Sequence, residues 1–216
     1  IEIFLDQNGY VKVLQGLQNT LMIAICGLII GIVIGTLIAT VRVIPKYKTL
    51  PKVLNHICSF YVALFRGTPM VVQLLVFYYV LLPIIGVKIT GVQVAMVVFG
   101  LNSGAYISEI MRSGIQSVDP GQMEAGRALG LSYFATMTKI IVPQAVKNIL
   151  PTLGNEFIAL IKDTSVASFV AAVDLYKVFT EIGTSNYEYL MPYLSMALIY
   201  IILVLLITPV SYTHLR

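Results

Sequence analysis

Long apolar runs alternate with short polar segments along this chain. Five of the runs approach or exceed about 20 mostly apolar residues, the length with which an α-helix crosses a bilayer. They predict five transmembrane helices, over residues 17–43, 57–85, 91–111, 142–161 and 189–210. The fourth run is the least apolar, since it contains Lys147, Asn148, Asn155 and Glu156. The pattern therefore predicts an all-α membrane protein.

The composition supports this fold class. The 216 residues are 58% hydrophobic and 11% charged, whereas soluble domains carry about 25% charged residues. A cleaved signal peptide does not explain the apolar runs, because they recur to the C-terminus. The net charge of +4 is not interpreted as a nucleic-acid signature, because the basic residues gather in loops between the runs. We expect the chain to lie in a lipid bilayer and to bind no nucleic acid.

The distribution of charge predicts the orientation. Basic residues follow the first and third runs, and acidic residues precede the first run and separate the last two. Because Lys and Arg accumulate on cytoplasmic loops, we expect the N-terminus outside and the C-terminus in the cytoplasm. The chain is interpreted as one domain, 1–216. Within it we expect an external interfacial helix over 1–15, a cytoplasmic loop over 118–141 and an external segment over 163–188, packed across the pore mouth.

Small residues recur in the first predicted span. Gly27, Gly31, Gly35 and Ala39 follow a four-residue step, so on a helix they form a ridge that another backbone can approach closely. We interpret the ridge as a packing surface. The third span contains Glu109 and Arg112 one helical turn apart, which predicts a structural ion pair.

Polar residues fall near the middle of three predicted spans. The second span has Arg66, Thr68 and Pro69 there, and Pro69 removes a backbone donor, so we expect a kink or break. Freed carbonyls at that depth are tolerated only in protein contacts or along a water-filled cavity. The candidate substrate-binding residues are therefore Thr68, Asn102, Ser103, Asn155, Glu156 and Asp163.

Two interpretations of the acidic candidates stay open. Glu156 and Asp163 are seven positions apart, so they share one helix face and would form an acidic track for a cationic side chain. Alternatively, Arg66 neutralises Glu156 and Lys162 neutralises Asp163. A charged residue inside a membrane is costly, which favours a functional role.

The loop after the third span has its own helix signals. Asp119 and Pro120 are typical of a helix start, and Gly130 stands where that helix is expected to end. A second helical stretch is predicted from Ser132 to Ile141, before Pro143 opens the fourth span. The small residues of the first helix would let a partner surface come close.

This loop resembles a known docking element. Glu124, Ala125, Gly126, Arg127, Ala128, Leu129 and Gly130, followed at fixed spacing by Pro143, resemble the EAA loop of ATP-binding-cassette (ABC) importer permeases. Three other segments resemble the polar amino-acid uptake subfamily, which includes histidine-, glutamine- and arginine-type membrane subunits. They are Phe65–Pro69, Ala105–Ile115, and Asn155–Phe157 with Lys162–Ser165.

The resemblance implies a type I ABC importer permease of the bacterial cytoplasmic (inner) membrane, carrying polar amino acids by alternating access. Our hypothesis from Glu156 and Asp163 is that basic amino acids are slightly favoured. It implies no cofactor in this chain, because ATP and Mg²⁺ belong to a partner ATPase. The implied partners are two ATPase subunits, an extracytoplasmic substrate-binding protein and a second permease subunit, with a homodimer favoured. The seven loop residues and Pro143 would couple to the ATPase. Which amino acid is carried, and whether the dimer has two identical subunits, stay open.

Two other function classes fit the sequence less well. An ion-coupled carrier acting without an ATPase is disfavoured, because no internal repeat is evident. An intramembrane enzyme is also disfavoured, because His56 and His214 lie at or beyond span ends and no catalytic constellation assembles at membrane depth. Consistent with a non-enzyme, the chain has no phosphate-binding G-x-x-x-x-G-K-[ST] segment.

Overall fold

The computed structural model describes residues 9–45, 47 and 49–213, and this part of the chain contains helices and no strand. The helices are α1 Gly9–Val43, α2 Thr49–Gly67, α3 Met70–Ile85, α4 Gly91–Gln116, α5 Pro120–Ala128, α6 Tyr133–Thr136, α7 Val142–Asp163, α8 Leu175–Asn186 and α9 Leu190–Thr213. Val76–Leu81 within α3 and Met137–Ile141 between α6 and α7 are π-helical, and Thr164–Val170 is a 3-10 helix.

The described helices contain fewer apolar candidate spans than the predicted five. Three are long and apolar enough to cross a membrane: α1, α4 and Leu190–Thr208 of α9. The pair α2 and α3 makes a fourth candidate if the two are one span bent by 107°. Helix α7, the predicted fourth span, is helical throughout but is not among these candidates, since Asn148, Asn155 and Glu156 interrupt its apolar sequence. The count of five stays a prediction, as does the orientation.

The observed bounds differ from the predicted ones at three places. Helix α1 is continuous from Gly9, so the described part of the predicted interfacial helix, residues 9–15, is the first turns of α1; residues 1–8 lie outside the described part. The predicted span 57–85 is two helices, and the first of them already begins at Thr49. Helix α4 continues to Gln116, beyond the predicted end at residue 111.

Helices α1 and α4 pack against each other along the predicted glycine ridge, which confirms its role. A Cβ placed on Gly31 would lie 2.8 Å from Ser103 Oγ, and one on Gly35 would lie 2.9 Å from Ile107 Cβ. The contact is reciprocal, because a Cβ on Gly104 would lie 3.0 Å from Ile34 Cβ. Backbones this close gain dispersion contacts in lipid, where the hydrophobic effect does not drive helix association.

An ion cluster ties α1 to α4 at the end where α4 leads into α5. Arg112 Nη2 lies 2.7 Å from Glu109 Oε2, which confirms the predicted pair. Arg42 near the end of α1 binds the other oxygen of the same carboxylate. Glu109 therefore joins two arginines from two helices, and this second partner was not predicted.

The segment after α7 packs against α1. Asn19 Nδ2 donates to the Val173 carbonyl (2.8 Å), and Thr20 Oγ1 accepts from the Leu175 N–H (3.2 Å). Asp174 is buried and caps α8 by accepting from the Lys177 N–H (3.0 Å). Helix α8, expected to lie across the pore mouth, contacts α1 and α9.

Candidate functional site

The break between α2 and α3 creates a polar site, as the sequence predicted. In a continuous helix the Phe65 carbonyl would accept from residue 69, but Pro69 has no N–H. Two side-chain amides replace that donor: Gln73 Nε2 lies 2.8 Å and Asn102 Nδ2 lies 3.1 Å from the Phe65 carbonyl oxygen. Gln73 also donates to the Thr68 carbonyl (3.0 Å), and Asn102 donates to Gln73 Oε1 (3.0 Å). The freed carbonyls are thus satisfied within the protein.

A cavity of about 340 Å³ lies between this break, α4 and α7. It is lined by Thr68, Pro69, Met70, Asn102, Tyr106, Glu156, Ala159, Leu160 and Asp163. Four predicted site residues are among them: Thr68, Asn102, Glu156 and Asp163. Helices that are distant in sequence therefore bring these side chains to one space.

The other two predicted site residues lie outside the lining. Ser103 is fully buried behind it, where its Oγ donates to Glu156 Oε1 (2.9 Å). Asn155 is exposed on α7 and is absent from the cavity wall. Adjacent residues of a helix point about 100° apart, and the rotation of α7 turns Glu156 towards the cavity and leaves Asn155 on the exposed side.

The cavity is acidic on its α7 side. Within the described residues, no lysine or arginine forms an ion pair with Glu156 or Asp163. Arg66 does not pair with Glu156, and Lys162 makes no ion pair with Asp163 within 4 Å, although its charge acts on the Asp163 carboxylate from a longer distance. The guanidinium of Arg66 instead lies 5.2 Å from the centre of the Tyr106 ring, and Tyr106 lines the cavity. Both carboxylates remain available to a ligand.

The predicted docking helix α5 has the expected ends. Asp119 caps it by accepting from the Gly121 N–H (2.8 Å), and Pro120 is its first residue. Gly130 adopts a left-handed conformation with φ of 83°. The N–H of Leu131 donates to the Gly126 carbonyl (3.1 Å) and that of Gly130 to the Arg127 carbonyl (3.0 Å). These two bonds form a Schellman motif, which requires glycine at this position.

Small residues in α5 do not all face outward. Ala125, Ala128 and Gly130 are exposed as expected, but Gly126 is buried: a Cβ there would lie 2.5 Å from Thr136 Cγ2. Gly126 therefore lets α5 pack closely on α6 of the same chain. Pro143 lies in the first turn of α7 and is exposed.

Polar and apolar side chains are exposed on α5 and on the residues that follow it. Glu124 is exposed and forms no ion pair with Arg127; Arg127 Nη1 donates to the Leu131 carbonyl (2.9 Å). Leu129 is 82% exposed, and Phe134 on α6 is 75% exposed. Phe134 was not among the predicted site residues, although an aromatic residue in a polar loop is a sequence signal of a contact surface.

Five further residues at the helix break and the cavity wall were not predicted: Gln73, Tyr106, Met70, Ala159 and Leu160. Gln73 is one turn after Pro69, so the loss of a donor at Pro69 was the available signal. Tyr106 is one turn after Asn102 on α4, which was the signal for its position beside the cavity.

The comparisons with known proteins agree with this architecture. Residues 27–216 match the family model described as the inner membrane component of binding-protein-dependent transport systems. The chain belongs to this family. It is thus a multi-pass inner-membrane permease subunit.

Relatives of this transport family cover most of the chain. The putative glutamine transport system permease protein GlnP of Rickettsia bellii is 40% identical over 91% of this chain and 88% of its own length. The arginine transport system permease protein ArtQ of Bacillus subtilis is 38% identical over 91% of this chain and 87% of its own length.

Solved structures of transporters have the same fold. A crystal structure of an amino acid ABC transporter with histidines has a TM-score of 0.88 and 36% identity, covering 99% of this chain and 97% of that one. An inward-facing MetNI methionine ABC transporter has a TM-score of 0.82 at 20% identity, covering 98% of each chain, and indicates the fold alone.

Proposed function

We propose that this permease subunit carries polar amino acids, with basic side chains favoured, through the cavity between the α2–α3 break, α4 and α7. The observation that carries the proposal is the position of Glu156 and Asp163 on one cavity wall, where neither forms an ion pair within the described residues. Relatives named for glutamine and arginine transport support the substrate class.

The two carboxylates have different environments. Ser103, which donates to Glu156 Oε1 (2.9 Å), holds that carboxylate in one orientation, and Asp163 stands two turns further along α7, at its end. Together they would attract an ammonium or guanidinium group along the helix. A buried charge is costly without a counter-charge, so a cationic ligand would bind more tightly than a neutral one.

Transport would be driven by a separate ATPase, which binds ATP and Mg²⁺. The exposed residues of α5, with Leu129 and Phe134, would form the surface that this ATPase contacts. Its closure would move α5 and, through the Gly126–Thr136 contact, the α6–α7 segment that carries Glu156. In this arrangement α5 would lie in the cytoplasm and α7 would be a fifth span. A second permease subunit and an extracytoplasmic binding protein would complete the transporter.

Co-purification followed by an ATP hydrolysis assay tests the proposal. The chain, expressed with its candidate ATPase, should co-purify with it. In proteoliposomes the complex should hydrolyse ATP faster when binding protein loaded with arginine, histidine or glutamine is added. Uptake driven by an ion gradient with this chain alone would instead support a carrier that acts without an ATPase and would overturn the coupling proposal.

A further inference from the structure

We propose that Arg66 binds the α-carboxylate of the transported amino acid and so sets its orientation in the cavity. The inference rests on the proposed function. In this orientation the carboxylate lies towards the α2–α3 break and the side chain lies towards α7.

The lining of the cavity offers the α-carboxylate of an amino acid no positively charged partner. Glu156 and Asp163 suit the α-ammonium group and a cationic side chain. The same acids repel an α-carboxylate, which loses its hydration on entering the protein and needs donors in return. A cation next to the cavity, on the side away from α7, would supply them.

Arg66 is the arginine whose guanidinium makes no hydrogen bond or ion pair in the described part of the chain. Arg42 and Arg112 both bind Glu109, and Arg127 donates to the Leu131 carbonyl. Arg66 makes no ion pair or hydrogen bond there, and its guanidinium contacts only the Tyr106 ring, at 5.2 Å from the ring centre. A guanidinium matches a carboxylate with two parallel N–H donors, and stacking on a ring does not use those donors.

The surroundings hold Arg66 beside the cavity. Its neighbour Phe65 is fixed by the two amide donors described above, and Thr68 and Pro69 line the cavity two and three residues later. Arg66 is exposed, so its guanidinium is accessible in this chain. The Tyr106 ring forms both part of the cavity wall and the platform under the guanidinium. The Tyr106 ring thus keeps the exposed guanidinium of Arg66 beside the cavity wall.

Paired ligands that differ by the carboxylate test this role. The purified permease–ATPase complex is titrated with whichever of arginine, histidine and glutamine the wild type binds most tightly, and with the corresponding decarboxylated amine: agmatine, histamine or 4-aminobutanamide. Arg66→Gln should weaken binding of the amino acid about tenfold or more, the range for a hydrogen bond to a charged group, and leave binding of the amine unchanged. Arg66→Lys, which keeps the charge, should recover part of the loss.

Two controls complete the design. Lys147→Gln removes an exposed cation from α7 outside the cavity and should change neither affinity. Glu156→Gln should weaken binding of arginine and agmatine alike, because both carry the guanidinium.

Three results would overturn the inference. Equal losses for amino acid and amine in Arg66→Gln would show a structural role, and an unchanged affinity for the amino acid would show that Arg66 does not contact it. A wild-type complex that binds none of the three amino acids would contradict the proposed function itself, and the inference with it.

Discussion

The α1–α4 interface and the cavity beside α7 lie on neighbouring faces of the same helix, α4, and are built in different ways. The interface is built from glycines that face side chains at contact distance, and Glu109 closes its end with two arginines. The cavity is built from a broken helix and from carboxylates that form no ion pair within the described residues. Ser103 joins the two regions, since it contacts Gly31 on one side and Glu156 on the other. The comparison indicates a closely packed helix pair that supports a polar site beside it.

Filling the glycine ridge should have the largest effect. In Gly31→Leu the new side chain would overlap Ser103, whose Oγ lies 2.8 Å from the position of the first added atom. Overpacking of this kind costs about 3 kcal/mol. We expect a clear loss of thermal stability in detergent. Gly67→Leu is the control, because nothing lies within 4 Å of its added Cβ; equal losses in both variants would show that the ridge is not specially tight.

The ion cluster gives the next largest effect. Glu109→Gln removes the acceptor charge shared by Arg42 and Arg112 and should cost about 2 kcal/mol, as for hydrogen bonds between charged groups. Glu124→Gln serves as the control, because Glu124 is exposed and has no ion-pair partner in the described part of the chain. Thermal unfolding of the two variants under the same detergent measures the difference, and a difference near zero would contradict a structural role for Glu109.

Removing the amide at the helix break should have a smaller effect on stability and a local effect on the cavity. Gln73→Leu keeps the size of the side chain but leaves the Thr68 carbonyl without its side-chain donor, at a cost of about 1 kcal/mol. Ligand affinity should also fall, because Thr68 lines the cavity. Gln18→Leu, an exposed position on α1, should change neither quantity. Unchanged ligand affinity in Gln73→Leu would show that the helix break does not support ligand binding in the cavity.

These contrasts also show what sequence can predict. The break at Pro69, the ends of α5 at Asp119 and Gly130, and the glycine ridge follow from local chemistry, and the structure confirms each. The second partner of Glu109, the burial of Gly126 against Thr136 and the exclusion of Asn155 from the cavity wall depend on how each helix is rotated about its axis. That rotation is set by packing between distant segments, which a single sequence does not report.

Substitutions on the proposed docking surface should affect stability least. Leu129→Ala and Phe134→Ala remove side chains that are 82% and 75% exposed, so unfolding of the isolated chain should change by less than about 0.5 kcal/mol. Co-purification of the ATPase should nevertheless fall. The side chain of Ile84 on α3 is similarly exposed, and Ile84→Ala should leave co-purification unchanged. Retention of the ATPase by the Leu129 and Phe134 variants would show that the docking surface lies elsewhere.

The most direct test of the cavity as the transport site is ATP-driven uptake of radiolabelled arginine and glutamine into proteoliposomes that contain the complete complex. The account predicts that Glu156→Gln combined with Asp163→Asn lowers arginine uptake about tenfold or more relative to glutamine uptake, because the cationic side chain loses both carboxylates. The same ratio of arginine to glutamine uptake in wild type and variant would contradict it.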